Sequence, residues 1–73
     1  MNLLITGGCG FIGSNIVEQL ITDKNIKLIR IIDNLSTGKK ENIQFLLDKY
    51  NNIEFIYGDL SNLETCRRVM KGI

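Results

Sequence analysis

The chain has 73 residues, 44% of them hydrophobic and 23% charged, with a net charge of +1. That length holds at most one small domain, and the near-neutral balance excludes the broad basic footprint of a nucleic-acid binder. No apolar run approaches the roughly 18–20 residues of a membrane span, and two cysteines with no histidine make neither a disulfide framework nor a zinc site.

The N-terminus has no positively charged region ahead of its first apolar residues, so a signal peptide is not expected and a reducing cytoplasm is the default setting. Asn2 to Thr6 reads as a strand, because Leu3, Leu4 and Ile5 are consecutive apolar residues of the kind a parallel strand needs when both faces are covered. Gly7, Gly8 and Gly10 then make a turn. From Phe11 to about Asp23 the spacing of Ile12, Ile16, Val17, Leu20 and Ile21 predicts a helix with one apolar face.

Ile26 to Ile32 is the second expected strand, interrupted only by Lys27 and Arg30, and it ends at Asp33. A polar loop, Asn34 to Gly38, leads to a second helix from Glu41 or Asn42 to Tyr50, with Ile43, Leu46, Leu47 and Tyr50 on one face. Ile53 to Tyr57 is the third strand. Ser61-Asn62-Leu63-Glu64 has capping-box spacing, which places the cap of a third helix at Ser61. That helix runs to about Lys71 with Leu63, Cys66, Val69 and Met70 on its apolar side, and Gly72 is its stop. Phe11, Phe45, Tyr50 and Phe55 are expected in or near the core.

Strand and helix alternate three times over short links, which is the pattern of a parallel sheet with right-handed crossovers. The expected fold class is therefore α/β: a Rossmann-type half-domain with three parallel strands in the order 3-2-1 and alternating helices. The first strand keeps an open side where a fourth would normally sit. So small a unit buries little apolar surface, and neither a disulfide nor a metal compensates. It is expected to pair with something or to belong to a longer chain.

The glycines fall between a strand and a helix, the context in which such a turn cradles a pyrophosphate. Gly7 permits the tight turn, Gly10 admits close approach of backbone to phosphate, and Gly13 lets the helix pack near the strand. Amides of Gly10, Phe11 and Ile12 then face the anion with the positive end of the helix dipole behind them. Gly8, Gly10 and Gly13 fit the G-x-G-x-x-G pattern as well, so spacing alone leaves the subtype open. Asp33 lies 20 residues after Gly13, where an acid accepts the adenosine ribose hydroxyls and repels a 2′-phosphate. This predicts NAD over NADP, the alternative being an acid that merely caps the strand end.

Asp59 and Leu60 close the third strand and are candidates for the adenine side, or Asp59 only starts the following helix. Ser36, Thr37 and Gly38 either reach the ribose or cap the second helix. Cys9, inside the turn, is a small side chain where bulk is excluded, or a thiol activated by a helix N-terminus.

The segments TGGCGFIGSNIVEQL, DNLSTG and YGDLSNLETC together resemble the opening of an extended short-chain dehydrogenase/reductase. More narrowly, they are similar to the NAD-dependent nucleotide-sugar epimerase/dehydratase family, and most to its UDP-sugar 4-epimerases. The match of Thr6, Gly7, Gly10, Phe11, Ile12, Gly13 and Ser14 to T-G-x-x-G-F-I-G-S selects Gly7-Gly10-Gly13 as the phosphate glycines. The resemblance implies that Asp33, Asn34, Ser36, Thr37 and Gly38 hold the ribose and that Asp59 and Leu60 contact adenine.

It further implies that residues 1–73 are the N-terminal portion of a longer NAD-binding domain, with a nucleotide-sugar substrate and often a homo-oligomeric state. Family catalysis uses Tyr-x-x-x-Lys. Here Tyr50 is followed four positions on by Glu54, and Tyr57 by Ser61, so no catalytic residue is assigned within the chain. A non-catalytic NAD-binding or regulatory module is the alternative reading. No contact with nucleic acid or membrane is expected.

Overall fold

A computed structural model describes residues 1–36 and 38–73. The elements are β1 (Asn2–Thr6), α1 (Phe11–Leu20), β2 (Leu28–Asp33), α2 (Glu41–Lys49), β3 (Ile53–Tyr57) and α3 (Leu63–Met70). Their order and type are those expected. The first helix is shorter, and the second strand begins later and takes in Asp33.

All pairing is parallel, with β2 between β1 and β3, which is the 3-2-1 order seen from the other edge. The register sets Thr6 beside Ile32 and Asp33 beside Tyr57. Hydrogen bonding then runs one residue beyond each outer strand: the Gly7 amide donates to Ile32 O at 2.9 Å, and the Gly58 amide to Asp33 O at 3.2 Å. Gly7 and Gly58 thus stand on either side of the end of β2, and the chain leaves the sheet there in three places at once.

Alternation divides the sheet into two faces. Ile29, Ile31 and Ile53 point to the face covered by α1 and α2, where they form the main core with Cys9, Val17, Ile21, Ile26, Ile43 and Leu46. Arg30 and Ile32 point to the other face, toward α3. This explains the charge in the middle of an apolar strand. Arg30 Nη1 donates to Val69 O at 2.8 Å and to Lys71 O at 2.6 Å, while its Nε donates to Glu54 Oε2 at 2.8 Å. The last turn of α3 is anchored by a cation on the central strand. Asn2 Nδ2 adds a second tie, to Gly72 O at 2.7 Å.

Three packing expectations are corrected. In α1 the apolar residues form two stripes. Gly13, Val17 and Ile21, four apart, turn toward the sheet; Ile12 and Ile16 lie on the adjacent stripe and are 74% and 46% exposed. In α3 only Val69 is fully buried, and Leu63 and Met70 face outward. Phe11 and Phe45 are exposed as well, while Phe55 and Tyr50 pack against the core. The third helix is capped by Asn62, whose Oδ1 accepts the amides of Glu64 and Thr65 at 2.9 and 3.2 Å. Ser61 is not the cap; Asp59 engages it instead, taking its amide at 2.9 Å and its hydroxyl as well.

Candidate functional site

The first turn of α1 is built to remain open. Gly10 is its N-cap in extended conformation, with no side chain closing the helix end and no acid in the first turn. Intrahelical bonding starts with the Ser14 amide on Gly10 O at 2.9 Å. The amides of Phe11, Ile12 and Gly13 therefore have no acceptor within the helix. The Gly10 amide, expected to be free, is instead spent inside the turn on Gly7 O at 3.1 Å. The set of open amides is shifted one residue toward the helix from the expected Gly10, Phe11 and Ile12.

The glycines of this turn meet different demands. Gly7 has φ +66°, a conformation a side chain resists. A Cβ on Gly13 would stand 2.3 Å from Gly7 O and 2.9 Å from Gly8 Cα, so close approach of helix to turn depends on its absence. A Cβ on Gly10 would meet only Gly7 O, at 3.4 Å. The protein itself has room for one there.

Asp33 is almost completely buried, 9% exposed, at the end of β2. Its Oδ2 accepts the Cys9 amide at 2.9 Å and its Oδ1 the Leu35 amide at 2.8 Å. A carboxylate has about four acceptor positions, and these two bonds occupy two of them. Leu35 sits at φ +59°, a left-handed backbone that costs roughly 1 kcal/mol. The bond from Asp33 and partial burial against the core hold it there. The Asn34 side chain accepts the Ser36 amide at 3.0 Å, which curls the loop back over the strand end.

A cleft of about 190 Å³ opens at the carboxyl end of the sheet, lined by Gly7, Ile32, Asp33, Asn34, Gly58, Asp59 and Leu60. Five of the residues expected at the site converge here from three different strand ends. Ile32 and Gly58 were not expected; both follow from the register, which the sequence does not display. The lining carries two acids and no base. Asp59 is exposed, and the Ser61 backbone amide followed by the Ser61 hydroxyl lowers its carboxyl pKa. The Leu60 carbonyl accepts the Cys66 thiol at 2.9 Å. A larger hollow of about 460 Å³, lined by Asn62, Glu64, Thr65, Arg67, Arg68 and Lys71, lies along α3, away from the strand ends.

Phe11, Ile12, Gly10 and Gly13 belong to the turn beside the cleft and are not among its lining residues, and Ser36 is exposed in the loop. Gly38 packs against the glycine turn. It is buried, and a Cβ on it would lie 2.6–2.8 Å from Cys9 C, Cys9 O and Gly10 N. It presses the β2–α2 loop onto the back of the glycine turn. Thr37 lies outside the described residues. Cys9 is fully buried, and burial first, then the Asp33 charge, raises its thiol pKa to about 11 against a lowering by Lys40. Burial and the raised pKa both favour the small-side-chain reading of Cys9 over an activated thiol. Among the described residues no helix is long and apolar enough to cross a membrane, and no group of side chains could hold a metal ion.

Parallel strands, a glycine turn feeding an open helix end and a cleft at the carboxyl edge define the class: a Rossmann-type α/β unit. The chain belongs to the 3-beta hydroxysteroid dehydrogenase/isomerase family, whose sequence pattern matches residues 4–73. It is 42% identical over 71 residues to CDP-paratose 2-epimerase of Salmonella typhi, a match covering 96% of this chain and 20% of that protein. The NAD complex of dTDP-glucose 4,6-dehydratase from Bacillus anthracis superposes with a TM-score of 0.87 at 36% identity, covering 97% of this chain and 23% of that one. UDP-glucose 4-epimerase of Thermotoga maritima, solved with UDP-glucose, gives a TM-score of 0.74 at 39% identity, over 94% and 20% of the two chains. The chain thus spans about a fifth of the length of these relatives. The expected kinship with nucleotide-sugar epimerases and dehydratases is borne out.

Proposed function

We propose that residues 1–73 are the N-terminal portion of the NAD-binding domain of a nucleotide-sugar epimerase or dehydratase, most like a UDP-sugar 4-epimerase, working in the cytoplasm. One observation carries this reading: Gly7, Asp33, Asn34, Asp59 and Leu60 meet in one cleft beside a helix end that no side chain caps. The residues fit the cofactor. Gly10 has room for a Cβ that only a ligand would contest. Asp33 retains acceptor capacity toward a ribose. Two acids without a base in the lining disfavour a 2′-phosphate, which supports NAD over NADP.

In this reading Gly7, Gly10 and the amides of Phe11, Ile12 and Gly13 hold the pyrophosphate. Asp33, Asn34 and the loop through Ser36, Thr37 and Gly38 secure the ribose, and Asp59 and Leu60 flank adenine. NAD, when bound, supplies a hydride acceptor for a sugar hydroxyl carbon. These residues bind and orient it, and no acid or base for the sugar is assigned among them. The free thiols of Cys9 and Cys66 suit a reducing compartment.

The test uses the protein expressed from its complete gene. Titration calorimetry should give NAD binding at least about tenfold tighter than NADP, a difference near 1.4 kcal/mol. Incubation with UDP-glucose should yield the 4-epimer, read by chromatography of the sugar nucleotides. NAD binding with no turnover of any sugar nucleotide would favour a non-catalytic module, and absence of NAD binding would sink both.

A further inference from the structure

The glycine turn has almost nothing of its own to hold it. Three of residues 7–10 are glycines, and such a segment loses the most conformational freedom on becoming ordered. Its rigidity has to come from neighbours. One is Asp33, on the Cys9 amide. The other side of the same residue is held by α2 and the loop before it: Cys9 O accepts Asn42 Nδ2 at 2.7 Å and the Lys39 amide at 3.1 Å. Gly10, extended at the N-cap, leaves the Gly13 amide outside the helical ladder, and the turn that carries it is placed by what holds Cys9. Gly38 lies against the same peptide, so the loop packs without a gap where Asn42 reaches across.

We infer that Asn42 is a positioning residue for the phosphate-facing turn: its side-chain amide fixes the Cys9 carbonyl, which keeps the first amides of α1 turned outward. The inference rests on the cofactor reading above for its ligand, though not for its geometry. Asn42 touches no part of the cleft and acts only through Cys9. It also links two halves of the site, since the loop that Asn42 and Gly38 press onto the turn is the one running from Asp33.

Two substitutions test this in the protein expressed from its complete gene. Asn42→Asp keeps the shape and replaces a donor with an acceptor that faces another acceptor; Asn42→Ala removes the group. In the ligand-free protein, amide hydrogen exchange at Cys9 and Gly10 should speed up about tenfold in both variants, while Ile29 to Ile32 keep their protection. NAD should bind about tenfold more weakly, and adenosine, which carries no phosphate, should bind within about twofold of the unsubstituted protein. Equal weakening of NAD and adenosine, or unchanged exchange at Cys9 and Gly10, would overturn the proposal. If the unsubstituted protein bound neither probe, the cofactor reading would fall, and the exchange rates would still decide whether Asn42 holds the turn.

Discussion

The Asp33 carboxylate accepts the Cys9 backbone amide at 2.9 Å, across a sequence separation of 24 residues. This bond joins the end of β2 to the turn after β1. With the bond from the Leu35 amide to the other oxygen, it makes one side chain responsible for the shape of two loops. The acid proposed for the ribose is therefore a structural tie in its own right, holding both loops through separate oxygens.

Replacing Asp33 should cost stability and cofactor affinity together. Asp33→Ala strands two amides that are buried or half-buried, so a loss of about 2–6 kcal/mol is expected at roughly 1–3 kcal/mol for each unsatisfied group. Asp33→Asn keeps one acceptor oxygen and the volume, and should lose about half as much. Urea unfolding followed by circular dichroism reads both. The preference for NAD over NADP should narrow in Asp33→Asn, because the charge that repels a 2′-phosphate is gone. An unchanged preference in a folded variant would reduce Asp33 to its structural tie.

The glycines of the turn should separate cleanly. Gly13→Ala drives a Cβ into the backbone of Gly7 and Gly8, which cannot move without pulling the end of β1. A loss of about 1–3 kcal/mol is expected, as for other overpacked sites. Gly10→Ala meets only an ordinary contact and should stay within about 1 kcal/mol of the parent, the size of a Gly-to-Ala backbone effect. Yet NAD affinity should fall at least about tenfold in Gly10→Ala, since the methyl occupies the approach of the pyrophosphate. Thermal melts alongside NAD titration separate the two. A stable Gly10→Ala that binds NAD normally would place the phosphate elsewhere.

These contrasts mark where sequence reasoning succeeds and stops. Strand, turn and helix were legible because period and glycine spacing are local properties, and Asp33 was legible because chain distance fixes where β2 ends. Gly38 was not, because its value lies in what it packs against across the fold. Asn42 reads in sequence as a polar residue on a helix surface; only the crossover brings it over Cys9. Ile12 and Ile16 followed the helical period and still face outward, since two apolar stripes lie side by side on α1 and a three-stranded sheet covers one. Ser61 and Asn62 are both good caps, and the choice was made by Asp59 taking the Ser61 amide and hydroxyl.

The Cys9 thiol should make stability fall in alkali. Its pKa stands near 11 in the folded protein against an ordinary 9.0, so the folded state holds a proton that the unfolded chain releases. Below pH 9 both states are protonated and the contribution is complete. Between pH 9 and 11 the unfolded state is favoured progressively, by about 2 kcal/mol in all. Urea midpoints measured at pH 8, 9 and 10 should decline more steeply in the parent than in Cys9→Ala, which lacks the titration and keeps a small side chain. Parallel slopes would show that the Cys9 thiol contributes nothing to the decline. At pH 8 the buried thiol should also resist alkylation in the folded state and react once urea unfolds the chain.

Arg30 and Glu54 provide a test of what holds α3. The pair is 2.8 Å apart, but Glu54 is half exposed while the arginine is largely covered. An exposed partner contributes little to such a pair, typically below about 1 kcal/mol. The bonds from Arg30 to Val69 O and Lys71 O are different in kind: they satisfy carbonyls at a helix C-terminus with a cation, where the helix dipole adds to the attraction. Arg30→Met is therefore expected to cost about 1–3 kcal/mol and to speed amide exchange through the last turn of α3, from Arg67 to Met70. Glu54→Gln should cost no more than about 0.5 kcal/mol and leave that exchange unchanged. Should both variants lose stability equally while α3 keeps its protection, the ion pair would be the working interaction and the helix end would be held by other means. The expected split instead makes Arg30 the residue that holds the C-terminal end of α3 to the central strand.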